Sequence, residues 1–373
     1  MHHYTLKYIV CSVLTGAALL LSSCAQASAT QTQSLSASES IPVTVIDTST
    51  LFSQQDLDGS YDASQAVTIS LQGDTAACDD PSVTIDGSTV TITAEGVYLL
   101  SGTLNDGQIQ IDAPDSAQVQ LVLNGVDITS ADSAAIYALE ADHVYLTLAD
   151  GSENTLTNGG TYVPIDENNL DSVIFSKTDL TLNGSGSLTI DAQAGHGVVS
   201  KDELTINGGT FTVDSVDDCL HSGGALAVTG GAFTLSSGDD AIHSDDAVTI
   251  RAGEFSIPYC YEGVEGLSVT VEGEAFDVTA HDDGFNAAGG ADSSDFGGMD
   301  EPFAASEDSF ITVNGGTITV VSDGDCLDSN GDLTVNGGTL DLTCNGNGNT
   351  ALDCSGSYTN NGGSVTTNDG SES

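Results

Sequence analysis

The feature that most constrains the fold of this chain is a repeat with a period near 22 residues. A strand-turn-strand phrase reads LTINGGTFTV at residues 204–213 and returns five times further along the chain. Its second glycine marks each copy, at Gly209, Gly231, Gly253, Gly273, Gly316 and Gly338. The copies are thus spaced by 22, 22, 20, 43 and 22 residues, with one double step. Because a unit this short cannot bury its own apolar face, the repeat predicts stacked units that share one core.

The residue pattern inside each copy indicates strands. Apolar residues alternate with Thr and other polar residues, which is typical of a strand with one buried face. The Asn-Gly-Gly of the phrase suits a sharp corner with positive φ angles. We therefore predict an all-β fold, a right-handed parallel β-helix with about 22 residues per coil. Leucine-rich repeats share the period, but they need an LxxLxLxxN phrase and a helical segment that this sequence lacks.

The first residues predict export. A lysine, Lys7, precedes an apolar run over residues 8–21, and the sequence LSSC follows, ending at Cys24. The run is too short for a transmembrane helix of about 20 residues, so residues 1–23 read as a lipoprotein signal peptide. Cys24 is then the lipid-bearing first residue, and an ordinary cleavage a few residues later is the alternative. The predicted location is the extracellular face of the cell membrane, with the lipid as the only membrane attachment.

The remaining chain divides by composition. Residues 24–42 are rich in Ser, Thr, Gln and Ala and predict a flexible tether. Residues 43–165 are strand-like but irregular in period, and we interpret them as an N-terminal cap and the first β coils. Residues 166–373 form the regular β-helix, interrupted by a Gly, Asp and Ser-rich excursion at 288–308.

The charge excludes several partners. The chain carries 55 acidic residues against 4 Lys and Arg, a formal net charge of −51. Such a surface repels nucleic acid and anionic lipid headgroups. The composition is nevertheless that of a folded chain, because 39% of the residues are hydrophobic. The acids therefore need counter-ions, and divalent cations outside the cell can supply them.

The cysteines point to no structural zinc site. Six of the eight follow the predicted lipid-bearing residue, and none forms a CxxC pair. Both disulfide formation and a reduced state stay open.

A second phrase occupies another side of each coil. It reads DDCLHS at residues 217–222, and related phrases stand at 239–244, 261–266, 282–287 and 324–329. An acid recurs two residues before the buried apolar residue, at Asp218, Asp240, Glu262, Asp283 and Asp325. Neighbouring strands lie about 4.8 Å apart, and stacked carboxylates at this spacing repel by roughly 3 to 4 kcal/mol at an effective dielectric near 20.

Calcium would relieve this repulsion. It accepts six to eight oxygen ligands at about 2.4 Å, which suits an ion between two stacked carboxylates. We predict Ca²⁺ as the cofactor, with its ligands among Asp217, Asp218, Asp239, Asp240, Glu262, Asp282, Asp283 and Asp325. The alternative is a solvated acidic edge that only prevents aggregation between sheets.

One residue past the buried position, strand alternation points the side chain outward. We predict that these residues bind ligand: His221, His243, Glu265, Asn286 and Asp328. The small residues one position before the buried residue, such as Cys219 and Cys326, are expected to point outward as well and to make a shallow polar trough. Two histidines suggest zinc, but the pattern offers no third imidazole nearby, so zinc is not favoured.

Several phrases together carry a family resemblance. VTITAEGVYLLSGTL at 90–104, VQLVLNGVDI at 119–128, IFSKTDL at 174–180 and HGVVSKDEL at 196–204 closely resemble the bacterial carbohydrate-binding-domain proteins built as polysaccharide-lyase-like parallel β-helices. The resemblance covers roughly residues 85–367. It implies binding of plant cell-wall polysaccharide, cellulose or polygalacturonate, with bound calcium and no established catalysis. The Asp-Asp copies that begin at 217, 239 and 282 match the acidic coils of that family.

These observations predict a cell-surface protein that binds polysaccharide and is not an enzyme. The chain has no Trp, so a flat indole platform for crystalline cellulose is excluded, and an acidic glycan bridged by calcium fits better. A calcium-dependent pectate-type lyase is one alternative, but its base would be Lys177, Lys201 or Arg251, and surrounding acids keep a lysine protonated. A surface adhesin for another partner is the second alternative. The sequence does not predict the oligomeric state.

Overall fold

The computed structural model describes residues 52–288 and 308–373. The predicted signal peptide, Cys24 and the tether lie outside the described residues. So does the predicted 288–308 excursion, apart from its two end residues. Within the described ranges, no helix is long and apolar enough to cross a membrane.

The described residues form strands and one short helix. In chain order the elements are α1 Gln54–Leu57, β1 Val67–Gly73, β2 Ala76–Ala77, β3 Val83–Asp86, β4 Thr89–Ile92, β5 Gly96–Leu104, β6 Gln108–Asp112, β7 Gln118–Ser130, β8 Ile136–Glu140, β9 His143–Leu148, β10 Glu153–Asn158, β11 Ser172–Ser176, β12 Asp179–Ala192, β13 His196–Ser200, β14 Leu204–Ser215, β15 Leu220–Ser222, β16 Leu226–Ser237, β17 Ile242–Ile250, β18 Glu254–Cys260, β19 Val264–Val271, β20 Ala275–Ala280, β21 Phe285–Ala287, β22 Phe310–Val313, β23 Thr317–Ser322, β24 Leu327–Ser329, β25 Asp332–Val335, β26 Thr339–Cys344, β27 Leu352–Cys354, β28 Tyr358–Asn360 and β29 Ser364–Thr367.

Two pairs near the start of the described residues, β1–β2 and β3–β4, are antiparallel. The other pairs are parallel, between equivalent strands of neighbouring coils, and they make three ladders. The first ladder runs β4, β6, β8, β11, β13, β15, the starts of β17 and β19, then β21, β24 and β27. The second runs from β5 through β7, β9, β12, β14 and β16 to β28, and the third runs along β10, β12, β14, β16, β18 and on to β29. About 11 coils stack in this way, which confirms the predicted all-β parallel β-helix.

The register confirms the repeat that the sequence predicts. The first buried residues of the phrase stack directly on one another, in the order Leu204, Leu226, Val248, Val269, Ile311 and Leu333. Val269 pairs with Ile311 across the double step, so the extra residues there do not interrupt the ladder.

Aromatic stacking runs along the core beneath the third ladder. The rings of Phe211, Phe233, Phe255 and Phe276 stack nearly parallel, with centroids 5.2, 4.5 and 4.4 Å apart. All four side chains are buried. Burying a phenylalanine contributes about 1.5 to 3 kcal/mol, and a favourable ring pair adds about 0.5 to 1.5 kcal/mol.

A second apolar cluster covers part of the outer face of the first ladder. Tyr137, Phe175 and Val199 point outward from β8, β11 and β13, and Leu170 from the connecting segment packs on them. The Lys201 ammonium lies 5.5 Å from the centre of the Phe175 ring. The outward column changes from apolar residues to His221 at β15, where the candidate site begins.

The N-terminal segment lies on the outer face of the second ladder. Ser53 caps α1, and Asp56 is buried there, accepting a hydrogen bond from Thr181 Oγ1 at 2.7 Å. Asn207 Nδ2 donates to the Leu57 carbonyl at 2.9 Å. The described N-terminal segment therefore covers the outer face of the second ladder at β12 and β14.

Candidate functional site

The two columns that the sequence separates lie in one groove on the first ladder. Residues two before and one after each buried apolar residue converge: His221 Nδ1 is 2.8 Å from Asp218 Oδ2, and His243 Nδ1 is 3.0 Å from Asp240 Oδ2. We call this groove the acidic trough, formed by Asp218, Asp240, Glu262, Asp283 and Asp325 with His221, His243, Glu265, Asn286 and Asp328. The predicted metal ligands and the predicted ligand-binding residues are thus neighbours.

The recurring acid also has a structural role. The backbone N–H of Asp240 donates to Asp218 Oδ1 at 3.0 Å, and that of Asp325 donates to Asp283 Oδ1 at 2.6 Å. The N–H of Thr350 donates to Asp325 in the same way. One carboxylate oxygen therefore satisfies a backbone donor at the corner of the next coil. In Asp218 the other oxygen faces the histidines of the acidic trough.

The expectation that the small residues beside the buried position point outward is wrong. Cys219, Ala241 and Cys326 are fully buried and belong to the core. The reason is that β15, β17 and β24 begin one residue later, so each small residue lies in the corner, where strand alternation does not hold. Within the described ranges, all six remaining cysteines are free thiols.

Histidines distinguish the N-terminal half of the acidic trough. His196 stands in the column of Asp218, and its ring centre lies 5.2 Å from that of His221. The His221 and His243 rings stack in parallel, 4.7 Å apart. A third imidazole is therefore present, and the prediction that none lies nearby is wrong. Sequence reasoning missed His196 because it searched that column for acids.

Burial and close contacts shift the pKa values in this half. Burial opposes the ionised form of Asp218, but its contacts with His196 and His221 lower its pKa below the usual range. Burial would lower the pKa of His243, yet its contacts with Asp240 and Glu265 raise that pKa to about 11. Burial and then the negative charge of Asp218 raise the pKa of Asp240, against the effect of His243. The group around His243 therefore holds protons at neutral pH.

The C-terminal half of the acidic trough offers oxygen ligands. Carboxylate oxygens of Asp325, Asp328 and Asp353 lie within 4.8 Å of one another. Asp353 pairs in register with Asp328 one coil away. Sequence reasoning missed Asp353 because the last copy of the phrase has a threonine where the others have an acid.

Three carboxyl groups in the middle and C-terminal part of the acidic trough have raised pKa values. Burial, and then the charges of Asp240 and Glu265, raise the pKa of Glu262 to about 10. Burial, followed by the charge of Asp328, raises the pKa of Asp283 to about 8. Burial and then the charge of Asp325 raise the pKa of Asp328 to about 7. Like charges held together in a partly buried groove explain all three shifts.

Asn286 lies in the middle of the acidic trough. Its side chain is 8% exposed and donates from Nδ2 to Glu262 Oε2 at 3.0 Å. Among the described residues its Oδ1 atom has no hydrogen-bond partner. A buried amide oxygen without a donor is rare and is a natural ligand for a cation.

The remaining predicted residues occupy distinct places. Oxygens of Asp218, Asp239 and Asp240 lie within 4.8 Å of one another, so the structure brings these three together. Asp217 and Asp282 stand one position earlier, half-buried. His243, Glu265 and Asn286 are buried, with 5%, 6% and 8% exposure, and form the floor of the acidic trough.

The fold and the acidic trough define a parallel β-solenoid with a carboxylate-lined groove along one ladder. The family described as carbohydrate-binding domain-containing protein matches residues 86–348, more than half of the chain. The chain therefore belongs to the carbohydrate-binding domain-containing protein family.

The chain is similar to a protein of Acetivibrio thermocellus and to a solved structure from C. thermocellum. A carbohydrate-binding domain-containing protein of A. thermocellus is 42% identical over 126 residues, which are 33% of this chain and 44% of that protein. The match thus spans less than half of that relative's length. A solved structure described as the polysaccharide lyase-like protein from C. thermocellum, gadolinium derivative, is 24% identical. It aligns with a TM-score of 0.47 over 81% of this chain and 94% of that one.

Proposed function

We propose that this protein binds an acidic plant cell-wall glycan, such as polygalacturonate, at the cell surface and uses calcium held in the acidic trough. The observation that carries the proposal is the line of buried and half-buried carboxylates along one ladder. Membership of the carbohydrate-binding domain-containing family supports a polysaccharide partner.

Calcium is supported by the ligand types of the C-terminal half. Asp325, Asp328 and Asp353 offer only oxygens. Calcium binds such oxygens in flexible geometries with six to eight ligands. Burial, followed by the charges of neighbouring carboxylates, raises the pKa values of Asp283 and Asp328, and a divalent ion would offset the cost of ionising these groups.

An acidic glycan is supported by the need for a bridge. A protein with a net charge of −51 repels a polyuronate over the range of the Debye length, about 8 Å at physiological salt. Calcium ions that keep open coordination positions at the half-exposed end of the acidic trough would bind uronate carboxylates directly. Affinity for the glycan would then require calcium.

A binding role without catalysis is supported by the positions of the basic side chains. Lys201 lies over Phe175, in the part of the first ladder that the connecting segment covers. The Arg251 guanidinium lies over the Phe52 ring, 5.9 Å from its centre, on the second ladder. Lys177 is exposed after β11, two coils before the acidic trough begins at β15. These positions argue against a role for the three basic groups in removing a proton from a sugar bound along the acidic trough.

We also propose attachment to the outer face of the cell membrane through a lipid on Cys24. The apolar run over residues 8–21 and the LSSC sequence support it. Labelling cells with radioactive palmitate and comparing the wild-type protein with Cys24→Ala tests this part, since only the wild type should carry the label.

Isothermal titration of the protein with polygalacturonate tests the glycan and calcium together. The titration is made in calcium and again in chelator, while ultraviolet absorbance follows unsaturated product. Binding that disappears in chelator and gives no product supports the proposal. Product release would make the protein a lyase, and no heat in either buffer would favour an adhesin for another partner.

A further inference from the structure

We propose that Asp240, His243 and Glu265 form a binding site for a divalent transition-metal ion of the zinc type, separate from the oxygen ligands of the C-terminal half. The carboxylates of Asp240 and Glu265 and the imidazole of His243 each offer one ligand atom, and these atoms lie within 4.8 Å of one another. All three residues are buried, with exposures of 5 to 6%. This inference does not rest on the proposed glycan.

The distances fit a metal with short bonds. His243 Nδ1 is 3.0 Å from Asp240 Oδ2 and 3.0 Å from Glu265 Oε2. Two ligand atoms at tetrahedral positions around zinc, each about 2.0 to 2.1 Å from the ion, lie about 3.3 Å apart. The His243–Asp240 and His243–Glu265 pairs would therefore need to separate by only about 0.3 Å each to hold such an ion.

The charges fit as well. Two carboxylates face one imidazole nitrogen, and its single N–H cannot be directed at both oxygens with good geometry. A divalent ion would bind the Nδ1 lone pair and one oxygen of each carboxylate. The ion would displace the protons that this group holds, and its two positive charges would balance the negative charges of Asp240 and Glu265.

The second nitrogen of His243 has the partner that metal-binding histidines usually have. Nε2 lies 3.3 Å from Asp245 Oδ1. A carboxylate that accepts the N–H on the far side of the ring fixes the tautomer with its lone pair on the metal side and increases the basicity of the imidazole. Asp245 itself is exposed and would not touch the ion.

A buried, unsatisfied oxygen beside the group points independently to a ligand. Asn286 pairs in register with Glu265, and its Nδ2 atom contacts Glu262 from the same coil as Glu265. The Oδ1 atom of Asn286 is buried and has no hydrogen-bond partner within the described part of the chain. Because Asn286 and Glu265 are register partners, an ion bound at Glu265 would lie on the coil next to Asn286.

The imidazole selects the kind of metal. Calcium prefers oxygen ligands alone, whereas zinc, nickel and copper bind imidazole well. The neighbouring histidine, His196, is less suited, because its Nδ1 atom already accepts the backbone N–H of Asp218 at 3.1 Å. His243 is the imidazole whose Nδ1 faces two carboxylates in the structure that is described.

Titration of the metal-stripped full chain with Zn²⁺ in excess calcium tests the assignment. We expect about one equivalent of Zn²⁺ to bind and to persist in calcium. His243→Gln and Glu265→Gln should each lose most of the affinity, and Asp245→Asn should lose about 10- to 100-fold. His281→Gln is the matched control, since His281 is exposed and lies outside the site. Circular dichroism checks that each variant folds, and Co²⁺ in place of Zn²⁺ gives a visible spectrum that changes in His243→Gln.

Three results would overturn the assignment. The first is Zn²⁺ binding that calcium abolishes, and the second is equal binding by the wild type and folded His243→Gln. The third is loss in His221→Gln with retention in Glu265→Gln, because it would place the ion at the outer side of the stacked histidine rings. A failure of the polygalacturonate titration would leave each of these readouts unchanged.

Discussion

Removal of divalent cations should give this protein an unusual dependence of stability on pH. Burial and neighbouring carboxylates raise the pKa of Asp283 from 3.8 to about 8 and that of Asp328 to about 7. An acid with a raised pKa in the folded state binds its proton more tightly there than in the unfolded chain. Its contribution to stability is complete below pH about 4 and is lost as the pH rises to about 7 or 8.

The magnitude follows from the number of protons. Each additional proton bound by the folded state changes the free energy of unfolding by roughly 1.4 kcal/mol per pH unit. In chelator, Asp283 and Asp328 together should lower the stability by up to roughly 3 kcal/mol per unit near pH 6, as the pH rises. In calcium this slope should shrink or reverse, because the metal binds the deprotonated ligands.

Urea denaturation at pH 5, 6, 7 and 8, with chelator and with calcium, measures this effect, and roughly 1 kcal/mol per pH unit is resolvable by this method. Asp328→Asn removes one of the two groups and should reduce the slope in chelator. Asp341→Asn, an exposed acid on the third ladder, is the matched control and should leave the slope unchanged. A stability in chelator that is constant or increases between pH 5 and 8 would refute the reasoning.

Three further predictions concern single residues. Gly324→Ala would place a Cβ 2.5 Å from Asp282 Oδ1, so it should lower the free energy of unfolding in urea by about 1 to 3 kcal/mol and weaken calcium binding. Gly273→Ala is the control and should do neither, because its Cβ meets nothing within 4 Å among the described residues. Phe255→Ala removes the ring that stacks on both neighbours and should cost about 3 to 5 kcal/mol by the same measurement; a loss below about 1 kcal/mol would contradict the packing. Asn286→Leu should weaken the binding of a divalent cation in isothermal titration, and Asn286→Asp should preserve it. Equal affinities in the two variants would contradict a ligand role for Asn286 Oδ1.

The coil architecture is predictable from the sequence because the period is regular. Stacking of Leu204, Leu226 and Val248 follows directly from the aligned copies. The acidic column is predictable for the same reason, since equivalent positions of a solenoid must lie one strand spacing apart.

The details of the acidic trough depend on the corners, where the period-two rule fails. The sequence places Cys219 outward, but it lies in the corner before β15 and is buried. It does not reveal that an oxygen of Asp218 accepts a backbone N–H of the next coil, because that contact depends on corner geometry. For the same reason, the sequence does not predict that the column of acids and the column of ligand-binding residues line one groove.

The segment between β10 and β11 could not be placed from the sequence either. Leu170 lies outside the repeating phrases, so no pattern predicts that it packs on Tyr137 and Phe175. That packing nevertheless covers the outer face of the first ladder at β8 and β11. The acidic trough therefore starts at β15, a boundary that the sequence shows only as the first acid of the column.

The most direct test of calcium binding is an anomalous diffraction measurement on crystals grown with calcium. The structure predicts a calcium peak in the C-terminal half of the acidic trough, with oxygens of Asp325, Asp328 and Asp353 about 2.4 Å from the ion. Peaks confined to other acidic surfaces, with the acidic trough empty, would contradict the account.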